Sequence, residues 1–244
     1  LRIDASVEAA GVTGGVIFVG GEGASTLAGA DLANDWQLTA SGSGSVGSVT
    51  FSGVENLIGG SDADTLMGWA QDSVWNITGA DAGDVGGIFF EDIENLLGAA
   101  DNEDTFIVGA FGGLSGLMDG GAGGFDSLLL DGGTFSTVSY VATSAHSGTI
   151  TRDGSVLSYD GLEPITDNSN TTDRIIDLSA FSDTATLSES GGDLTIDDTD
   201  PFAIFTFESI TFAKPTNSLT INLGDDEGIP ILSRDELTVQ DVDL

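Results

Sequence analysis

Apolar residues in this chain alternate with polar ones in short runs, and Gly, Asp and Ser bound most of those runs. Trp75 and Ile77, followed by Val85 to Phe90, are of this kind. Alternation of period two over a few residues predicts half-buried strands. No stretch repeats apolar residues at i, i+3, i+4 and i+7 over several turns, so almost no helix is expected. In Val54-Glu55-Asn56-Leu57-Ile58 the alternation places Val54, Asn56 and Ile58 on one face and Glu55 and Leu57 on the other.

The runs recur at a fixed spacing. Phe51-Ser52-Gly53-Val54-Glu55-Asn56-Leu57 returns 39 residues later as Phe90-Glu91-Asp92-Ile93-Glu94-Asn95-Leu96. The same offset relates Trp36-Gln37-Leu38-Thr39 to Trp75-Asn76-Ile77-Thr78, Gly44 to Gly83 and Val46 to Val85. A fixed period decides a fold before any single motif does. Read as two coils of ~20 residues, this period predicts a right-handed parallel β-solenoid of the β-helix or β-roll kind, each strand pairing with its counterpart in the next coil. A pair of β-sandwich domains is the alternative, since it also uses many short strands. The exact period covers residues 1–133. Residues 134–244 keep the vocabulary, as in Tyr159-Asp160-Gly161-Leu162-Glu163-Pro164-Ile165 and the fainter Phe207-Glu208-Ser209-Ile210, and read as a more divergent continuation. Asp167 to Asp173 reads as a polar loop and a subdomain boundary.

Charge changes the picture more than length does. The 244 residues include 40 acidic and 5 basic side chains, for a net charge of -35. Nucleic-acid binding is excluded as a role, because no basic patch exists to displace counterions from phosphate. An anionic membrane surface would repel the chain, and no apolar run reaches the ~18 residues of a membrane-spanning helix. Such a charge attracts cations, and divalent metal is the natural neutraliser. Hydrophobic residues at 40% supply enough apolar surface for a core, which argues against disorder. Cysteine is absent, so disulfides, thiol catalysis and cysteine-ligated metal are excluded. The chain opens on Leu1 and closes inside a strand-like run, as a piece of a longer protein would.

The most specific chemistry lies in the glycine turns. Gly59-Gly60-Ser61-Asp62-Ala63-Asp64-Thr65-Leu66-Met67 fits the nonapeptide G-G-x-G-x-D-x-U-x except that Asp62 replaces the third glycine. Gly20 to Ala28 fits with Ser25 in the aspartate position, and Gly120 to Leu128 fits with one inserted residue. Glycines let main-chain carbonyls converge, an aspartate adds a carboxylate, and Ca²⁺ takes six to eight such hard oxygens. Asp62, Asp64, Asp101, Asp104, Asp119, Asp126, Asp225 and Asp226 are accordingly the candidate metal ligands. The alternative is that Gly and Asp simply make good turns here, since Asp tolerates left-handed backbone and bonds its own main chain.

In these positions the sequence resembles the repeats-in-toxin family of calcium-binding β-rolls. More broadly, the Phe-x-x-Val/Ile-Glu-Asn-Leu unit and the Gly161-Leu162-Glu163-Pro164-Ile165 segment look like repeats of large bacterial surface and adhesin-like proteins. The resemblance implies secretion, a β-solenoid and Ca²⁺. In that family the nonapeptides run in tandem, whereas here the first two lie 39 residues apart.

Other residues carry less. Glu55 and Glu94 sit beside Asn within strand-like runs and predict a ladder of polar side chains stacked between coils. His146, the only histidine, reads as an exposed loop residue, and no G-x-S-x-G nucleophile elbow is present. Trp36, Trp69 and Trp75 could stack on sugar rings, but equivalent repeat positions for Trp36 and Trp75 point to the core. The expected function is therefore non-enzymatic: a structural repeat module of a secreted or cell-surface bacterial adhesin or extracellular fibre, stabilised by Ca²⁺. Its expected partners are neighbouring repeat modules, copies of itself, divalent cations and surface glycans. A self-assembling filament subunit and a glycan-binding or polysaccharide-modifying β-helix are the alternatives.

Overall fold

The computed structural model describes residues 15–178, 184–199, 207–223, 235–240 and 242. Every regular element among them is a strand. The chain divides into two compact units, Leu1–Asp126 and Ser127–Leu244.

In the first unit the chain forms β1 (Val16–Val19), β2 (Thr26–Ala28) and a meander of β3 (Asp35–Ala40), β4 (Ser43–Val46) and β5 (Val49–Ser52). It continues through β6 (Asn56–Ile58) and β7 (Thr65–Met67) to a second meander of β8 (Val74–Gly79), β9 (Ala82–Val85) and β10 (Ile88–Glu91). β11 (Asn95–Leu97), β12 (Thr105–Gly109) and β13 (Leu117–Asp119) follow. One sheet runs β1-β5-β4-β3-β7-β11-β13 and the other β2-β6-β10-β9-β8-β12. Pairing inside the meanders is antiparallel. The remaining pairs are parallel.

This arrangement accounts for the sequence period without pairing its copies. Strands do not pair with their repeat counterparts: Trp36 pairs with Leu66, and Trp75 pairs with Phe106. From one meander to the next the chain changes sheet at β5–β6, at β6–β7 and again at β7–β8. An odd number of changes delivers successive 39-residue repeats to opposite sheets, so Trp36 and Trp75 play the same part in different sheets. The parts match closely. Trp36 meets Phe51 edge-on at 6.2 Å and 63°, and Trp75 meets Phe90 at 6.5 Å and 61°. In both meanders the phenyl ring lies over a glycine, with a Cβ at Gly44 or Gly83 falling 2.8 Å from the ring edge.

Parallel register then stacks apolar side chains into continuous rows. Trp36, Leu66, Leu96 and Met118 are successive partners in one sheet, and all are buried. Leu27, Leu57 and Phe90 form the matching row in the other. Interdigitating rows of this kind are where burial of apolar surface stabilises the fold. The alternation expected across Val54–Ile58 is corrected here: Val54 and Leu57 both point inward, while Asn56 and Ile58 are only half-buried. Gly53, at φ 64°, turns the chain before the strand begins, so period two starts only at Asn56.

The second unit repeats the scheme after the exact sequence period has faded. β14 (Ser127–Asp131) precedes a meander of β15 (Thr134–Ser144), β16 (Ser147–Arg152) and β17 (Ser155–Asp160). β18 (Ile165–Asp167) and β19 (Asn170–Asp177) lead to a meander of β20 (Thr184–Ser190), β21 (Asp193–Asp198) and β22 (Ile210–Ala213), then to β23 (Ser218–Asn222) and β24 (Glu236–Gln240). Its sheets run β17-β16-β15-β19-β23 and β14-β18-β22-β21-β20-β24. Two single strands again separate the meanders, and the meanders again lie in opposite sheets. The polar stretch expected to be a loop at Asp167–Asp173 is mostly strand: Asp167 ends β18 and Asn170 begins β19, with Asp167 and Thr171 buried.

Candidate functional site

The turn carboxylates are engaged with the main chain. Asp64 is fully buried, and its Oδ1 accepts from the Asn34 main-chain N–H and the Asn34 side chain, each at 2.7 Å. The N–H of Asp64 itself donates to Glu94 Oε2 at 2.7 Å. One repeat earlier, the N–H of Ser25 donates to Glu55 Oε2 at 2.6 Å. One repeat later, Asp104 accepts from the Ser73 N–H at 2.8 Å and from the Ala99 N–H at 3.1 Å, and donates its own N–H to Asp126 Oδ1 at 2.7 Å. Each buried aspartate thus accepts from one chain segment and donates to the next. Glycine is required beside them: a Cβ at Gly59 would lie 2.5 Å from Asp64 Oδ2, and one at Gly98 would lie 2.6 Å from Asp104 Oδ2. Burial pushes the carboxyls of Asp64 and Asp104 above their ordinary range, against the pull of these hydrogen bonds. Asp126 is raised to about 6, first by burial and then by the neighbouring charges of Asp104, Asp119 and Glu103.

The other sequence candidates are placed differently. Asp62 and Asp101 are exposed, Asp101 at φ 61° in a turn. Asp119 is half-buried and accepts from the Gly121 N–H at 2.9 Å. Asp225 and Asp226 lie outside the described residues. In place of the side-chain ladder expected of them, Glu55 and Glu94 are half-buried and enter a side-chain-to-main-chain network, each accepting one main-chain N–H. Asn95 adds to it, accepting from the Leu117 N–H at 3.0 Å and donating to the Asp64 carbonyl at 3.2 Å.

Asp167 lies in a fully buried ion pair with Arg174 in the second unit. The Tyr140 hydroxyl joins them, accepting from Arg174 Nη1 at 2.7 Å and donating to Asp167 Oδ2. The guanidinium lies 5.0 Å from the Phe212 ring centre, and Asp167 Oδ1 accepts from the Ser169 N–H at 2.7 Å. The cluster is a buried structural knot in which the ion pair is compensated, although Arg174 Nε and Ser169 Oγ are buried without hydrogen-bond partners.

A third constellation is open. His146 sits in the turn between β15 and β16, and its Nδ1 lies 2.8 Å from Glu163 Oε2 and 3.0 Å from Glu208 Oε1. Register explains the convergence. Ile165 pairs with Ile210, so Glu163 and Glu208, each two residues upstream, arrive side by side. Ser147 pairs with Asp160, which brings the β15–β16 turn to the start of the same loop. The three side chains are graded in exposure, at 55% for His146, 41% for Glu163 and 1% for Glu208. Burial raises the Glu208 carboxyl to about 9, and the facing Glu163 adds to the rise. Among the described residues these three are the group of His, Cys, Asp or Glu whose ligand atoms come within 4.8 Å of one another. The histidine is exposed, as the sequence suggests; its two partners, 17 and 62 residues downstream, carry no local spacing signal.

The tryptophans separate by environment. Trp36 and Trp75 are core residues, while Trp69 is half-buried in an open groove of about 770 Å³ with Gln37, Met67, Leu97 and Asp119. Against known protein families, curated proteins and solved structures the chain has no match.

Proposed function

We propose that this chain is a structural repeat module of a secreted or cell-surface bacterial protein, built as a parallel β-solenoid with antiparallel meanders let into its coils. One observation carries this role: carboxylates recurring at the sequence period join one segment's main chain to the next, through Asn34–Asp64–Glu94 and again through Ser73–Asp104–Asp126. Charge-assisted hydrogen bonds to main-chain N–H groups resist separation of neighbouring coils. Parallel apolar rows beneath them supply the cohesion. The resemblance of the glycine turns to repeats-in-toxin sequences supports an extracellular setting.

The calcium implied by that resemblance would have to share Asp64, Asp104 and Asp126 with the main-chain hydrogens their oxygens already accept, although Asp64 Oδ2 is buried with no hydrogen-bond partner. Cations serve the module by screening its charge of -35. A rise in Tm specific to Ca²⁺ and removed by Asp62→Ala would restore calcium to the turns. The mechanical role is tested by pulling the chain between two marker domains. Cooperative unfolding at a force lowered by Asp104→Asn is expected, and extension without a force peak would overturn it. A glycan-binding surface is the second reading, favoured by the Trp69 groove. Because Trp36 and Trp75 are buried, a change in tryptophan emission on adding oligosaccharide would report on Trp69.

A further inference from the structure

The glutamate of the repeated Phe/Tyr-x-Gly/Asp-x-Glu unit has a fixed duty in the first unit. Glu55 and Glu94, each four residues after the aromatic, accept from main-chain N–H groups. Glu163 stands four residues after Tyr159 in the same pattern. Its carboxylate meets His146 and Glu208 instead. The residue facing it is also changed. In the first unit Leu57 pairs with Phe90, and the residue two before Phe90 is Ile88, which is buried. In the second unit Ile165 pairs with Ile210, and the residue two before Ile210 is Glu208, which is equally buried. A carboxyl therefore occupies an apolar core position, directed at a second carboxylate and an imidazole.

Hydrogen bonding accounts for Glu208 only in part. Its Oε1 reaches His146, but its Oε2 is buried with no hydrogen-bond partner. A buried carboxyl oxygen left without a partner costs its full desolvation. Two carboxylates held together also repel unless a proton or a cation lies between them. A cation held between the two glutamates and the imidazole removes their repulsion and compensates the charge of the buried carboxylate. The mixed nitrogen and oxygen set selects the ion. Imidazole suits zinc and its transition-metal neighbours, whereas calcium and magnesium take oxygen alone. Tetrahedral zinc bonds of ~2.0–2.1 Å require ligand atoms ~3.3 Å apart. The 2.8 and 3.0 Å separations here reach that spacing with a few tenths of an ångström of movement, and His146 is on an exposed turn free to supply it.

We propose that His146, Glu163 and Glu208 bind a divalent transition metal, zinc by preference, which clips the β15–β16 turn to the β17–β18 loop and to the residues leading into β22. Three protein ligands leave a fourth position for water, which is open to solvent on the His146 side. The clip joins segments 62 residues apart in sequence, a closure that favours the folded chain whenever metal is present.

The test is calorimetric titration of the chelator-stripped full chain with ZnCl₂, in buffer with millimolar MgCl₂ to occupy the acidic surface. One zinc per chain is expected, with a zinc-dependent rise in Tm. His146→Ala and Glu163→Gln are both partly exposed and leave the core intact; each is expected to weaken binding by roughly tenfold or more, since even outer partners of a metal ion are worth that much. Substitution with Co²⁺ is expected to give the visible absorption of a low-coordinate nitrogen and oxygen site, and CaCl₂ is expected not to displace it. Absence of zinc binding, equal affinity in His146→Ala, or displacement by equimolar calcium would each overturn the proposal.

Discussion

The main-chain N–H of Asp104 donates to Oδ1 of Asp126 at 2.7 Å, while the Asp104 carboxylate accepts from Ser73 and Ala99 with both of its oxygens. Asp104 is 1% exposed, so water replaces none of these bonds. One residue thereby ties three segments of chain that the sequence separates by 31 and 22 positions.

Asp104→Asn keeps the size of the side chain and removes its symmetry. One carboxamide oxygen accepts a hydrogen, and the amide nitrogen then faces a second N–H donor. The unsatisfied pair is expected to cost ~1–3 kcal/mol, a loss of several degrees in Tm for a chain of this size. Thermal melting followed by circular dichroism measures it. Asp62→Asn, at an exposed position of the neighbouring turn, is expected to leave Tm unchanged.

Asp126 predicts a stability that falls with rising pH. Its folded pKa is about 6 against an ordinary 3.8, so the folded chain holds the proton more tightly than the unfolded chain. The associated stabilisation is complete below 3.8 and is lost as pH rises through about 6. Asp64 and Asp104 are shifted in the same direction. Urea midpoints taken between pH 4 and pH 7 are expected to decline, and Asp126→Asn is expected to flatten the decline. A midpoint that rises across this window in the parent chain would contradict the burial of these carboxyls.

Arg174 is expected to be the least replaceable basic residue among those described. Arg174→Met fills most of the space but leaves Asp167 charged and buried beside Tyr140. Removing one partner of such a pair costs ~3–5 kcal/mol. Adding Asp167→Asn to Arg174→Met is expected to recover part of the loss, because a neutral amide no longer needs the guanidinium. Urea denaturation of the two variants separates the charge effect from lost packing against Phe212.

What was legible in the sequence, and what was not, follows from how each signal is encoded. The all-β character and the equivalence of Trp36 with Trp75 were legible, because inward positions at period two and a fixed offset repeat the same packing problem. The assignment of those tryptophans to opposite sheets was not, since a repeat in sequence reports equivalence and not the number of sheet changes between copies. Asp64, Asp104 and Asp126 were legible as special residues. Their partners were not, because a main-chain N–H some 30 residues upstream has no side-chain signature. Arg174 follows directly on the polar stretch Asp167 to Asp173 that reads as a loop, so nothing in the sequence marked it as a core residue. The one available hint to the His146 cluster was that Glu163 repeats Glu55 and Glu94; its partner Glu208 depends on the Ile165–Ile210 register, which no local pattern records.

Glu208→Ile separates a carboxyl kept for binding from one kept for folding. Ile88 fills the corresponding place in the first unit, so the side chain suits the site in size and polarity. Replacing a buried ionisable group by a well-packed apolar one of similar volume is neutral or stabilising by ~1–4 kcal/mol. In metal-free buffer the variant is therefore expected to melt at or above the temperature of the parent chain. With zinc added, the parent is expected to gain stability and the variant to gain none. If Glu208→Ile instead melts well below the parent without metal, the carboxyl is part of the folding framework, and its hydrogen bond to His146 outweighs its cost of burial. Melting both proteins with and without ZnCl₂ gives the four temperatures that decide between these outcomes.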